Sequence, residues 1–245
     1  MVVVVEINKI YNEDCIETMK QIDSESVDLI IADPPYYKIV KDTWDNQWET
    51  IEEWLDWHKL WILECKRILK KSGSFYYYGN VTNISYVKIL IDKHLEYRNW
   101  ITWNKKRGRG NSNDWLFCRE EILFYTKSNS YNFNKLYSDN PGTSNASKKK
   151  FKEQGVGKRL SNVWDDILEM GWNNTGKCKM SAEKPVKIGI RIILSSTNQN
   201  DLVYIPFAGS GSEIEACINT KRNWIASEIS EEYVNDIILP RISKE

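Results

Sequence analysis

Short apolar runs alternate with amphipathic helical patterns along most of this 245-residue chain, and that alternation restricts the fold more than any other feature. A strand buried on both faces reaches a parallel neighbour only through a crossover, which is usually a helix. The order of patterns therefore predicts βα units around a largely parallel sheet. "VVVVEINKIY" opens with strand character, "CIETMKQI" reads as a short helix and "SVDLIIA" as the next strand. In "WETIEEWLDWHKLWILECKRILKK", Ile51, Trp54, Leu55, Trp57, Leu60, Trp61 and Leu63 recur at 3-and-4 spacing, which predicts a long amphipathic helix closed by Gly73. "SFYYYGN" follows as a strand, "ISYVKILIDKH" as a helix, and "YRNWITWNK" and "EEILFYTK" as an antiparallel pair at one sheet edge. The strands "DLVYIPF" and "NWIASEI" separate three final helices, "EKPVKIGIRIILSST", "GSGSEIEACINTK" and "SEEYVNDIILPRI".

Periodicity is lost between about 128 and 180, where Asn, Ser, Lys, Gly and Asp dominate, and so long an irregular stretch in a compact domain is usually functional or disordered. The same region is basic. Residues 101–180 hold 15 lysines and arginines against 8 aspartates and glutamates, leaving 19 against 26 for the rest of a chain whose net charge is zero. A basic third on a neutral protein offers a face to phosphate.

Several classes are disfavoured. No apolar run reaches the length of a membrane span, and "MVVVVEI" reads as a strand because it lacks the basic start and long apolar core of a signal peptide. The five cysteines form no C-x-x-C pair and there are two histidines, so no metal site is expected and a reducing cytoplasm is. A Ser-His-Asp or Cys-His hydrolase would need His58 or His94 as its base, and both read as helix-surface residues.

Four polar features fall at the carboxyl ends of predicted strands, where open parallel sheets bind ligands. "PFAGSGS" places Gly209 and Gly211 in a strand-to-helix turn, Glu228 follows 17 residues after Gly211, Asp14 ends the first strand region and Asp33 the "SVDLIIA" strand. The turn lacks the lysine of a phosphate-binding G-x-x-x-x-G-K-[ST] loop and the third glycine of a dinucleotide site. An adenosine-bearing ligand with a ribose and no pyrophosphate fits better, and S-adenosylmethionine is the common one.

"DPPY" followed far downstream by "PFAGSGS" resembles the beta class of DNA amino-methyltransferases, in which the catalytic motif precedes the target-recognition region and the cofactor motif comes last. The resemblance covers nearly the whole chain except about 105–180. It implies a Rossmann-like S-adenosylmethionine-dependent fold, α/β, with a mostly parallel sheet, helices on both faces and a small inserted target-recognition region. By position, Asp33, Pro34, Pro35 and Tyr36 would be catalytic. Asp14, with Cys15 beside it, would meet the adenine; Glu228 the ribose; Phe207, Gly209, Ser210, Gly211 and Ser212 the cofactor's flank; and Lys184 and Pro185 its methionine end. Residues 1–104 and 181–245 would be the catalytic and cofactor halves of one domain, around an insertion at 105–180 with an edge strand near 119–127. The chain departs from the family at Ile205 of "IPF", in "MSAEKP" and at Ser212.

The chemistry gives the motif a physical sense. The lone pair of a base's exocyclic amine is delocalised into the ring, so the amine is a poor nucleophile. A carboxylate and a backbone carbonyl that accept its N–H bonds draw the nitrogen toward tetrahedral geometry and offset the charge that grows on it. Pro34 and Pro35 would hold Asp33 and the Pro34 carbonyl in place, and Tyr36 would stack on a base turned out of the duplex. Lys105, Lys106, Arg107, Arg109, Lys158 and Arg159 are the expected DNA contacts, with Trp44, Trp103 and Trp115 as further candidates. The resulting expectation is an N6-adenine methyltransferase of double-stranded DNA in a restriction-modification setting, and the sequence leaves open both a homodimer and a cognate endonuclease. N4-cytosine chemistry and a catalytically silent DNA-binding subunit are the alternatives.

Overall fold

The computed structural model describes residues 5–39, 43–110, 112–169 and 183–243. In chain order its elements are β1 (Lys9–Tyr11), α1 (Cys15–Gln21), β2 (Val27–Ala32), α2 (Ile51–Ile68), β3 (Leu69–Gly79), α3 (Ile84–Ile91), β4 (Glu96–Arg109), β5 (Phe117–Thr126), α4 (Asn145–Gln154), β6 (Val163–Trp164), α5 (Val186–Ser196), β7 (Leu202–Ile205), α6 (Ser212–Asn219) and β8 (Asn223–Ser227). A helical stretch with a π turn at Val234–Ile238 follows over 231–242. One sheet runs in the order β1-β8-β7-β2-β3-β5-β4-β6, and every pairing is parallel except those of β5 with β3 and β4.

Both faces of this sheet are covered, which explains why its strands read as continuous apolar runs. Along β2, Leu29 and Ile31 point into a core shared with Ile188, Ile192 and Ile214 of α5 and α6. Ile30 and Ala32 point into the opposite core, with Met19 of α1, Trp61 of α2 and Val87 of α3. A slip of one residue would exchange the two faces, so the register is fixed by packing. The structure is thus the expected α/β fold with helices on both faces.

Several expectations change in detail. Residues 1–4 of the opening strand reading lie outside the described residues, and β1 is a short strand. The long helix starts at a capping box in which the Thr50 side chain accepts from Glu53 N–H and Glu53 reaches back to Thr50, worth about 1 kcal/mol. It ends at Ile68 and not at Gly73, because Leu69 is already extended (φ −68°, ψ 131°). Gly73 lies inside β3, where the register with β2 jumps from Val27↔Leu69 to Leu29↔Ser74. A Cβ there would stand 2.7 Å from the Leu69 side chain, so the glycine serves close packing at a bulge. The stretch read as irregular contains α4, capped by Ser144 and by left-handed Gly155, and β6, which pairs with β4. Helix α4 buries no residue and so shows no apolar stripe. Among the described residues no helix is long and apolar enough to cross a membrane.

His58 is buried and not on the helix surface. Its Nδ1 lies 2.9 Å from the Trp54 carbonyl and Nε2 3.0 Å from the Tyr77 hydroxyl, a pair that a neutral ring satisfies by donating at the first and accepting at the second. Burial lowers its pKa to about 3 against an ordinary 6.5, so between those values the unfolded chain binds a proton that the folded one refuses. Stability is therefore lost as pH falls through this window. Denaturant melts at pH 7, 6, 5 and 4 should show the wild type losing stability relative to His58→Phe by up to about 1.4 kcal/mol per pH unit. A difference that stays flat with pH would mean that the folded protein binds this proton as readily as the unfolded chain does.

Candidate active site

Strands β1, β8, β7 and β2 are successive neighbours, with Tyr11 opposite Ser227, Ala226 opposite Ile205 and Tyr204 opposite Ile30. Because all four run the same way, the loops leaving their carboxyl ends share one edge. Those loops hold Asp14, Glu228, the 206–211 glycine turn and Asp33–Tyr36. Parallel pairing alone brings these residues to one edge, though up to 214 positions separate them.

Asp33 is engaged at both carboxylate oxygens. Oδ1 accepts from the Tyr36 hydroxyl at 2.8 Å and Oδ2 pairs with Lys184 Nζ at 2.8 Å. The Pro-Pro corner is pinned from outside: Trp54 Nε1 donates to the Pro35 carbonyl at 3.1 Å, and buried Asp45 accepts the Tyr36 N–H at 2.7 Å. Lys184 is almost wholly buried, 3.4 Å from Glu120 Oε2, with its ammonium over the rings of Tyr36 and Tyr78. Burial alone would lower its pKa, yet Asp33 and Glu120 hold it above the ordinary lysine range. Burial, then the Asp33 charge, drives the Tyr36 hydroxyl well up, so it remains a donor.

In the glycine turn, Gly209 (φ +52°) and Gly211 (φ +78°) are both left-handed, and Gly211 N–H donates to the Ala208 carbonyl at 2.7 Å. Glu228 closes the turn from the neighbouring strand end. Its Oε2 accepts Gly209 N–H at 2.8 Å and its Oε1 accepts Ser230 N–H at 2.9 Å. Burial raises the Glu228 carboxyl, and the backbone donors offset part of that shift. Asp14 caps α1 by accepting Ile16 N–H at 2.8 Å. Burial, then the Asp14 charge, pushes up the Cys15 thiol, which favours the protonated form over a thiolate. Phe207 packs on Trp57 and Trp61, and Ser212 Oγ donates to Glu213 Oε2. Ile205 is buried at the end of β7, where an apolar side chain suits the core. Pro185 is the N-cap of α5. Met180, Ser181 and Ala182 lie outside the described residues.

The acids around the turn tell against phosphate. Glu213 is a buried carboxyl raised first by burial and then by Asp33, and Glu228 has no cation partner among the described residues. The nearby cations are themselves paired, Arg241 with Glu183 and Glu215, and Lys184 with Asp33. A ribose with neutral hydroxyls and a cationic centre fits this set, and a pyrophosphate does not. No cluster able to hold a metal occurs among the described residues.

The expected DNA contacts divide. Lys105 is sunk, pairing with Glu120 and lying 3.5 Å from Glu169, so its charge is spent inside the protein. Arg109 is exposed and holds Glu169 at 2.9 Å, while Lys106, Arg107, Lys158 and Arg159 are exposed. Trp103 is buried and donates to the Ile167 carbonyl, Trp44 packs edge-on to Tyr233, and Trp115 is 93% exposed. Glu120 was not among the expected site residues. Consecutive acids at 120 and 121 in a strand face opposite sides of the sheet, and because both faces are covered both carboxylates turn inward, Glu121 most of all; two adjacent acids within a strand pattern are the signal.

Residues 27–239 match the family model described as DNA methylase, of N6/N4 type. Type II methyltransferase M1.MboII of Moraxella bovis is 32% identical over 248 residues, which cover 94% of this chain and 95% of that protein. Type II methyltransferase M.BamHI of Bacillus amyloliquefaciens is also 32% identical, over 243 residues and 91% of this chain, and this chain spans 55% of that longer protein. The crystal structure of the M1.HpyAVI–SAM complex matches the fold with a TM-score of 0.64 at 23% identity, covering 95% of this chain and 98% of the other.

Gly211→Ala tests the turn without adding a clash, because its new Cβ would meet Ile238 at an ordinary 3.4 Å. The left-handed backbone should cost about 1–2 kcal/mol in a denaturant melt. An unchanged midpoint would show that the turn relaxes to another conformation.

Proposed function

The chain belongs to the N6/N4 DNA methylase family, and on that premise we propose that it transfers a methyl group from S-adenosylmethionine to the exocyclic N6 of adenine in duplex DNA. The observation that carries this reading is the shared sheet edge: the carboxylate of Asp33 on its pinned Pro-Pro corner stands beside the glycine turn and Glu228.

S-adenosylmethionine, when bound, supplies a methyl group made electrophilic by its sulfonium. Glu228 would hold its ribose hydroxyls, Asp14 would meet the adenine, and the left-handed Gly209 and Gly211 backbone would let the ligand come close. Phe207, Ser210 and Ser212 would flank it, and Pro185, at the start of α5, would meet its methionine end. Asp33 accepts an N–H of the target amine, offsets the positive charge that grows on nitrogen and takes up the proton that nitrogen sheds. The ring of Tyr36 stacks on the extruded base, a contact worth roughly 1–3 kcal/mol at comparable sites. Lys106, Arg107, Arg109, Lys158 and Arg159 meet the phosphate backbone and position the duplex. The type II designation of the relatives supports a place beside a cognate nuclease, in the cytoplasm of a bacterial cell.

Labelled methyl transfer from S-adenosylmethionine to unmethylated mixed-sequence DNA, followed by nucleoside mass spectrometry, tests the reading. N6-methyladenine is the expected product. N4-methylcytosine would move the assignment to the other amine, and absence of cofactor binding by calorimetry would leave a silent DNA-binding subunit. Asp33→Ala should lower kcat at least about 100-fold while cofactor affinity stays near wild type. Replacing Lys106 and Arg107 together by alanine should reduce the slope of log affinity against log salt by about 2. An unchanged slope would move the DNA face elsewhere.

A further inference from the structure

Lys184 stands between two carboxylates and satisfies one of them. Its Nζ is 2.8 Å from Asp33 Oδ2 and 3.4 Å from Glu120 Oε2. Glu120 Oε2 is fully buried without a hydrogen bond, while the other oxygen of the same carboxylate is held by Lys105. A buried carboxylate oxygen left without a donor is costly, and here the one ammonium facing it lies just beyond a good hydrogen-bond distance. The hydroxyl of Tyr78, whose ring lies 5.5 Å from the same Nζ, is a second buried atom without a partner. The surroundings of Lys184 therefore hold acceptor capacity that its present position leaves unused.

The position it does occupy conflicts with the chemistry proposed for Asp33. That carboxylate must accept from the target amine and offset a growing positive charge. With Tyr36 on one oxygen and Lys184 on the other, it is already neutralised, and a nearby ammonium repels a second developing cation. A short swing of Nζ from Asp33 to Glu120 removes the conflict.

We propose that Glu120 is a positioning residue for methyl transfer: it draws the Lys184 ammonium off Asp33 as the target amine enters, so that Asp33 meets the amine as an uncompensated anion. This inference rests on the methyl-transfer reading of Asp33. The fold explains why Glu120 can do this. Strand β5 is the one reversed strand, and its first residues lie beside the carboxyl end of β3, with Glu121 opposite Gly79. Glu120 faces Trp103 across the β4–β5 pairing, and Lys105, two residues further along β4, ties down one oxygen and leaves Oε2 toward Lys184. Glu169 and Arg109 extend the same chain of ion pairs to the surface. Burial alone would raise the Glu120 carboxyl, but Lys184 and Lys105 hold it below the ordinary range, so an anion is available to receive the ammonium. Glu213 competes poorly because its own carboxyl is raised and already accepts from Ser212.

Glu120→Gln keeps the volume and removes the charge. On DNA bearing the mapped target sequence, kcat should fall about tenfold or more, with KM for DNA and calorimetric S-adenosylmethionine affinity within about twofold of wild type. Glu120→Asp should restore part of the loss. Adding Lys184→Met to Glu120→Gln removes the ammonium trapped on Asp33, so at saturating S-adenosylmethionine the double variant should have a higher kcat than Glu120→Gln alone. Wild-type kcat in Glu120→Gln would overturn the inference. So would a double variant no faster than the single one, or equal losses of melting temperature and activity in both the Gln and Asp variants. If the wild type itself transferred no methyl group, the methyl-transfer reading would fail and take this inference with it. An active wild type with an indifferent Glu120→Gln would overturn this inference alone.

Discussion

Parallel pairing of β1, β8, β7 and β2 is the constraint on which the site depends. A parallel ladder needs crossovers, crossovers are helices, and helices on both faces bury the central strands β2, β7 and β8. Once the strands share a direction, their carboxyl ends form a single rim. Asp14, Asp33, Glu228 and the glycine turn need no further device to meet, and the two apolar cores on either side keep the register that aligns them.

Charge at this rim is balanced locally. Asp33, Glu120 and Glu169 alternate with Lys184, Lys105 and Arg109 from the buried floor to the surface of the β4–β5 pair. Ion pairs in a dry interior are weak sources of net stability because each member loses its hydration, so such a chain is better read as a device for holding groups in place. On the other side of the site, Arg241 bridges Glu183 and Glu215 and donates to the Ser210 carbonyl, which supports the glycine turn from beneath.

The parts of this molecule that follow a period were legible in the sequence. The apolar run of β2, the stripe of α2 and the strand–turn–helix around Gly209 and Gly211 each express a local rule, and each appears in the fold. Gly73 was misread because a glycine after a helical run looks like a cap, while the bulge it serves depends on β2, more than 40 residues away. Helix α4 has caps but no apolar face, so its polar sequence resembled a loop. His58 and Lys105 read as surface residues by their chemistry, yet Tyr77 of β3 in one case, and Glu120 of β5 with Glu169 beyond β6 in the other, provide partners inside the fold. Lys184 stands in the sequence as part of a motif, and only the fold brings its ammonium to Asp33. Partners chosen by tertiary contact leave little trace in a single sequence.

The pairing of β1 with β8 joins Lys9 to Ile225 across more than 200 intervening residues. During synthesis β1 cannot make this pairing until β8 has left the ribosome, whereas β2 and β3 can pair much earlier. The rim is therefore completed late, with Glu228 and the loop after β1 among the last groups to come together. A nascent or truncated chain has Asp33 on its corner well before it has the other side of the cleft. Such a chain carries one wall of the cleft without the other, and the site is assembled only when β8 docks beside β7 and β1.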